Sequence, residues 1–243
     1  MFTYYTSTTR NSQQRVITTL VSQWGDVNGD GISDNVSLVG NKQNGFSDNI
    51  VVQIIDGLTG FITQIPLQNN AGYNPTLFLG DFDLDKVSDI LVVIESGGSG
   101  GYIFAYVISY KSNQPRIFFS SDVFNQLSQY KAVFKNNYKV DVINVFTGKT
   151  YTLDLSNKKE EYSSIYDKNG RLIKPVQGEV LALGGISPVD FNYDGTYDLV
   201  TSQRIIGLNN ADTLGYLNTI LKWNGVFWEI KEVGINLPIP YTS

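Results

Sequence analysis

The sequence predicts an all-β protein, a β-propeller built from four-stranded antiparallel blades, with four blades in the ring. Three observations carry this reading. A nine-residue acidic loop occurs three times in the chain. The three copies are spaced by one unit length and by close to twice that length. The stretches between them are rich in Val, Ile, Tyr, Phe and Thr and are punctuated by turn dipeptides, the pattern of short strands.

The loops run from Asp26 to Asp34, from Asp81 to Asp89 and from Asp190 to Asp198. Carboxylate or amide oxygens stand at positions 1, 3, 5 and 9: Asp26, Asn28, Asp30 and Asp34; Asp81, Asp83, Asp85 and Asp89; Asp190, Asn192, Asp194 and Asp198. Ca²⁺ is a hard cation that takes six to eight oxygens, and a main-chain carbonyl at position 7 completes such a set. Ile32, Val87 and Thr196 occupy that position. Three Ca²⁺ sites are therefore expected. An EF-hand is excluded because position 12 is Ser37, Val92 or Thr201 rather than Glu, and the flanks read as strands. Lys86 stands at position 6 of the second loop, where a sharp turn favours glycine, so that site is expected to bind more weakly.

The loops begin at 26, 81 and 190. The missing repeat falls near residue 135, where Val133, Lys135, Asn137 and Asp141 occupy the comb positions. Most oxygens are gone there and a lysine has entered, so this unit is expected to keep its strands and lack the metal. The chain divides into an N-terminal segment, 1–17, and one propeller domain, 18–243, with units at about 18–72, 73–127, 128–181 and 182–243. A repeat of this size marks an array or a propeller.

Strands are expected on both sides of the loops: Leu20 to Trp24, Thr76 to Leu79 and Lys131 to Phe134 before them, and Val36 to Val39, Ile90 to Ile94, Val140 to Val145 and Leu199 to Ile206 after them. Further β-rich runs follow in every unit, among them Ile50 to Ile55, Tyr102 to Tyr110, Tyr151 to Leu155 and Tyr216 to Trp223. Asn224-Gly225, between Trp223 and Val226, suits a two-residue hairpin turn. Asp122 to Tyr130 suits a short helix. Trp24, Phe82 and Phe191 flank the loops and are expected in the core.

The loops and the strands after them resemble the FG-GAP or VCBS repeat, the calcium-loop blade of integrin-α-type propellers. The matching stretches are Gly25 through Val39, Gly80 through Ile94, and Val189 through Thr201. The chain as a whole is similar to small uncharacterised VCBS-repeat proteins of spore-forming bacteria. The resemblance implies that each loop joins the first and second strands of a blade and that comb positions 1, 3, 5, 7 and 9 bind Ca²⁺. Integrin-type propellers have seven blades where four are counted here, and the Phe-Gly and Gly-Ala-Pro signatures are absent.

Composition excludes several chemistries. The chain has no Cys and no His, which removes disulfides, thiolate sites, the commonest general base and the commonest transition-metal ligand. Ten of its 23 acids lie in the three loops, leaving 13 acids against 18 bases elsewhere. Those bases are scattered, which argues against a nucleic-acid footprint. No apolar run reaches the length of a membrane span, and the first twenty residues lack the apolar segment of a secretory signal. Sites of modest affinity fill where Ca²⁺ is plentiful, so an extracellular, surface or spore setting is favoured.

These features point to a non-enzymatic binding or structural module with a protein or glycan ligand. The face opposite the calcium loops is expected to comprise residues 41–49, 68–75, 95–102 and 207–215. Asn69, Asn70, Tyr73, Asn209, Asn210 and Asp212 are the candidate contacts there. Two rivals remain open. One is a polysaccharide-active enzyme using a pair among Glu95, Glu160, Glu161, Glu179, Glu229 and Glu232. The other is an architectural component of a spore or surface layer. Gly97 to Gly101 matches a nucleophile elbow formally, but no His is present to activate Ser99, and a hairpin connection is expected. Ser156 to Lys159 matches Ser-x-x-Lys by spacing alone and reads as a turn.

Overall fold

Alternating apolar residues put one side of each strand into a core. In one strand Ile50, Val52 and Ile54 turn inward while Val51, Gln53 and Ile55 are half-exposed. In another Leu217, Thr219, Leu221 and Trp223 do the same. This period of two is what a half-covered sheet requires. The computed structural model describes residues 17–238; residues 1–16, most of the expected N-terminal segment, lie outside the described residues.

The elements are β1 (Thr18–Gly25), β2 (Asp34–Gln43), β3 (Phe46–Ile55), β4 (Ile62–Pro66), β5 (Gly72–Gly80), β6 (Asp89–Glu95), β7 (Ile103–Ser109), β8 (Arg116–Ser120), α1 (Ser121–Leu127), β9 (Tyr130–Lys135), β10 (Lys139–Asn144), β11 (Thr150–Asp154), β12 (Gln177–Val189), β13 (Asp198–Ile206), β14 (Thr213–Trp223) and β15 (Trp228–Asn236). They form two antiparallel sheets. The first has the order β1-β2-β3-β5-β6-β7-β8, with β4 paired to β3; the second has the order β11-β10-β9-β12-β13-β14-β15. The protein is therefore all-β, as expected. The one α-helix among the described residues is short and is capped by Ser120, whose Oγ accepts the Val123 N–H.

The four radial blades expected from sequence are not demonstrated; among the described residues the strands form these two continuous sheets. The first unit runs into the second where Phe46 and Ser47 of β3 pair with Tyr73 and Gly72 of β5. The third runs into the fourth where Lys131 to Val133 of β9 pair with Glu179 to Gln177 of β12. Each sheet folds over its own core. Leu38, Ile50 and Val52 meet Ile90, Val92 and Tyr106 in the first, and Phe134, Val140 and Tyr162 meet Ile205, Leu214 and Leu217 in the second. A third core joins the sheets, with Phe82, Leu91, Val107 and Phe124 packed on Leu183, Leu199 and Leu221. The second unit thus packs on the fourth, across a unit that lies between them in sequence.

Three local expectations are also corrected. β12 precedes the third loop, where no strand was read; Gly184, Gly185 and Pro188 mask it, and its pairing with β13 shifts register around Leu183. The turn after β14 holds four residues, not two, because Trp223 pairs with Trp228 and Asn224 Oδ1 accepts the N–H groups of Val226 and Phe227. Of the three flanking rings only Phe82 is buried; Trp24 and Phe191 face solvent.

Candidate metal centre

The three acidic loops adopt one backbone. Positions 4 and 6 have positive φ in all of them: Gly29 and Gly31, Leu84 and Lys86, Tyr193 and Gly195. The carboxylate at position 1 fixes this shape by accepting the N–H at position 6, at 2.9 Å for Asp26 and Gly31, 2.8 Å for Asp81 and Lys86, and 2.9 Å for Asp190 and Gly195. The carboxylate at position 5 accepts the N–H at position 7: Asp30 from Ile32, Asp85 from Val87, Asp194 from Thr196. Short acidic side chains favour such turns because they satisfy main-chain donors locally.

The loops also lie in a row. Ser88 N–H donates to the carbonyl of Asp26, which joins the first loop to the second. Tyr197 N–H donates to the carbonyl of Asp81, which joins the second to the third. The comb-less unit has a tight β9–β10 hairpin instead, closed by Lys139 opposite Lys135, with Lys135 facing Asp141 at 3.8 Å.

Position 9 separates the loops. Asp34 is fully buried and accepts the N–H groups of Val27 and Gly57. Asp89 is buried alike and accepts the Phe82 N–H at 2.9 Å. Asp198 is less enclosed and faces Lys222 at 3.8 Å.

Position 3 separates them further. In the first loop the Asn28 amide donates to Asp56 at 2.9 Å and to Asp30 at 3.3 Å. In the third, the Asn192 amide donates to Asp194 at 2.7 Å. Each places N–H between carboxylates and offsets their repulsion. Asp83 has no such donor. Its Oδ2 accepts from Arg116 at 2.7 Å, while Oδ1 is buried without a hydrogen-bond partner. The Asp83 side chain is only 8 % exposed. Its oxygen converges with those of Asp81 and Asp89, all within 4.8 Å of one another. Asp85 stands beside them and is paired with Lys111 at 3.0 Å.

This crowding moves the acids' proton affinity. Burial pushes the Asp89 carboxyl up to about 8, with the charges of Asp83 and Asp85 adding to it and the Phe82 N–H opposing. Burial and Asp85 also raise Asp83, against the pull of Arg116. In the third loop the Thr196 N–H and the Asn192 amide lower Asp194, and burial raises Asp198. Beside the first loop, the Thr59 N–H and hydroxyl lower Asp56, the partner of Asn28.

A buried carboxylate with one unpartnered oxygen, clustered with two more carboxylates, is what a hard cation would satisfy, so the residues of the second loop fit Ca²⁺. This was the loop for which Lys86 predicted the weakest site. Lys86 takes the left-handed conformation without glycine, and its N–H still reaches Asp81. The contribution of Arg116 and Lys111, which reach the loop from either end of the β7–β8 connection, had no signal in the sequence.

The proposed ligand contacts are near one another but mostly occupied internally. Tyr73 packs edge-on to Phe46 and lies against Gly97, and the carbonyl of Ser99 accepts from Asn210 and Arg204, so the four segments adjoin one another. The Asn69 amide donates to Asp122, and the Asn70 carbonyl accepts from Ile50. Asn209 accepts the Ala211 N–H, and Asp212 accepts the Tyr162 hydroxyl and the Leu208 N–H. Of the acids outside the combs, Glu95 takes the Asn74 amide, Glu161 faces Lys158 and Glu229 faces Lys231. No helix among the described residues is long and apolar enough to cross a membrane.

A family model described as the YybI C-terminal domain matches residues 128–236. That stretch contains the whole second sheet, β9 to β15. The uncharacterised protein YybI of Bacillus subtilis (strain 168) is 49% identical over 209 residues, which is 85% of this chain and 80% of that protein. No solved structure matches the chain. The resemblance to FG-GAP or VCBS repeats is thereby corrected: the match is to a YybI domain that spans the comb-less unit and only one of the three combs.

Proposed function

This chain belongs to the YybI family, and from its own acidic loops we propose that it is a calcium-stabilised, non-enzymatic module whose role is to bind or to build. Two observations carry the proposal: Asp83 Oδ1 is buried without a hydrogen-bond partner, and Asp83 brings a carboxylate oxygen within 4.8 Å of oxygens of Asp81 and Asp89. A bound Ca²⁺ would supply the missing positive charge, with Asp81, Asp83 and Asp89 holding it and Asp85 nearby. Asp26, Asn28, Asp30 and Asp34, and Asp190, Asn192, Asp194 and Asp198, would hold ions more weakly, because amide donors already offset their carboxylates. An ion that binds only the folded state stabilises it by mass action.

The far surface would present a partner site for a glycan or a protein. Tyr73, Tyr102 and Tyr216, each more than a third exposed, suit stacking on a sugar face better than the internally bonded Asn69, Asn210 and Asp212.

Calorimetry with Ca²⁺ and with EGTA tests the metal. Saturable binding with a raised melting temperature, both lost first in Asp83→Asn, is the expected result. Identical melting with and without Ca²⁺, and no binding heat, would sink the reading.

A further inference from the structure

Away from the far surface, the seam between the two sheets opens into a groove of about 630 Å³. One wall is β8 and α1; the other is the end of β14, its turn and β15. Both β8 and β15 are terminal strands of their sheets, so among the described residues neither carries a further strand over the opening. Phe118 stacks parallel to Trp228, with ring centroids 5.8 Å apart, and meets Trp223 edge-on at 5.1 Å. The Trp228 indole N–H donates to the Phe118 carbonyl, which occupies part of the β8 edge and leaves the groove to side chains. Val226, Leu127 and Phe227 lie on its rim and are 79%, 68% and 58% exposed. Single exposed apolar residues are ordinary; a contiguous group around a concave opening marks a binding surface.

The groove is lined by one charged residue, Arg116. Its guanidinium lies 4.9 Å from the Phe118 ring centroid and 5.7 Å from that of Trp223. Among the described residues it makes one hydrogen bond, from one terminal nitrogen to Asp83. The rest of its planar donor fork is available to a second anion, and a guanidinium matches a carboxylate in two-point geometry. No acidic side chain lines the groove to hold a cationic head. Its size is that of a small-molecule site, roughly 300–1,000 Å³.

We propose that this groove binds a single-chain amphiphile with a carboxylate head, its tail on Phe118, Trp223, Phe227 and Trp228 and its head on Arg116. The proposal does not depend on calcium and is tested in EGTA. Two of the chain's three tryptophans wall the groove; the third, solvent-exposed Trp24 on β1, is removed as background by Trp24→Phe. Decanoate, decanol and decyltrimethylammonium are titrated below their aggregation concentrations while Trp223 and Trp228 fluorescence is read.

Decanoate is expected to saturate the signal at one per chain, with the ammonium compound roughly tenfold weaker, since only one head gains a charge-assisted hydrogen bond. Arg116→Gln brings the two to parity and leaves decanol unchanged. Asp83→Asn, which releases the guanidinium, tightens decanoate alone. Leu127→Glu, a change at an exposed rim position, weakens all three. Equal binding of carboxylate and ammonium by the parent protein would overturn the proposal, as would a non-saturating response. So would a dimer whose formation hides the groove from decanoate, or binding that emerges only when residues 1–16 are deleted. Those outcomes would assign the groove to a second copy or to the chain's own N-terminal segment.

Discussion

At the third position of the comb, the outer two loops carry Asn28 and Asn192, and the middle loop carries Asp83. The backbones are alike, with left-handed residues at the same two positions and the same pair of carboxylate-to-N–H bonds. What differs is how the negative charge is met. In the outer loops an amide from within the loop answers it. In the middle loop the answer comes from Arg116 and Lys111, and one oxygen is left without any. A single nitrogen in place of an oxygen thus separates a self-satisfied turn from one that keeps a buried, unpartnered oxygen. The middle loop also lies between the other two and contacts both, so its charge state bears on the whole row.

The largest difference to measure is in anchoring, at position 2. Phe82 is buried and meets Phe78, Tyr197 and Trp228, whereas Phe191 is half in solvent. Phe82→Ala is expected to cost about 3–5 kcal/mol, the range for deleting a core ring, while Phe191→Ala stays within about 0.5 kcal/mol. Urea unfolding of both variants checks this. Similar losses would mean that the middle loop is not the one fixed to the inter-sheet core.

Next in size is the response to Ca²⁺. With the ion at 100 times its dissociation constant, linkage gives about 2.7 kcal/mol of stabilisation. Asp83→Asn makes the middle loop resemble the outer ones and is expected to lower Ca²⁺ affinity by about tenfold or more, because one anionic ligand is lost. Asn192→Asp makes the opposite exchange in the third loop and is expected to gain less, since Asp198 there is poorly enclosed and faces Lys222. Isothermal titration of the two exchanges side by side would break the comparison if they shifted affinity equally.

A third effect concerns Asp212, expected from sequence to touch a ligand. It accepts the Tyr162 hydroxyl at 2.7 Å and the Leu208 N–H at 2.8 Å. Asp212→Ala should cost about 1–3 kcal/mol, the penalty for stranding enclosed donors. Burial, with Asp212 adjacent, holds the Tyr162 phenol above its ordinary range. The folded state therefore favours the protonated phenol. Its contribution is complete below pH of about 10 and declines as pH rises through the higher folded value. Denaturant midpoints from pH 8 to 11 should fall more steeply for the parent protein than for Tyr162→Phe.

The sequence made the strands legible because Val, Ile and aromatic residues alternate within them, as in β3 and β14. It made the loops legible because the same acidic spacing occurs three times and each copy fixes the same turn. It concealed β12, whose glycines and proline read as a break although a strand with shifted register absorbs them. The order of packing was also hidden. Repeat spacing sets how many units there are, but the pairing of β9 with β12 and the packing of Phe82 on the fourth unit depend on contacts distant in sequence. At the site, the acids of the middle loop were visible, whereas Arg116 and Lys111 arrive from a different connection of the same unit. The weakness expected from Lys86 considered the backbone at position 6; the buried, unpartnered oxygen of Asp83 had no signal in the sequence.

That penalty itself gives the smallest effect. Lys86 holds φ at 66° and Leu84 at 68°, a region that costs a residue with a side chain about 1–2 kcal/mol. Glycine removes the clash but gives back part of the gain through the greater freedom of the unfolded chain. Lys86→Gly is therefore expected to stabilise the Ca²⁺-free protein by under about 1 kcal/mol, as read from its urea midpoint. At Gly31, where glycine already sits at the equivalent position with φ of 84°, the reverse change Gly31→Lys should cost about as much. Opposite signs of similar size would show that the two loops differ in side-chain chemistry and not in backbone shape. A destabilising Lys86→Gly would instead mean that the lysine side chain contributes to the loop more than its backbone takes away.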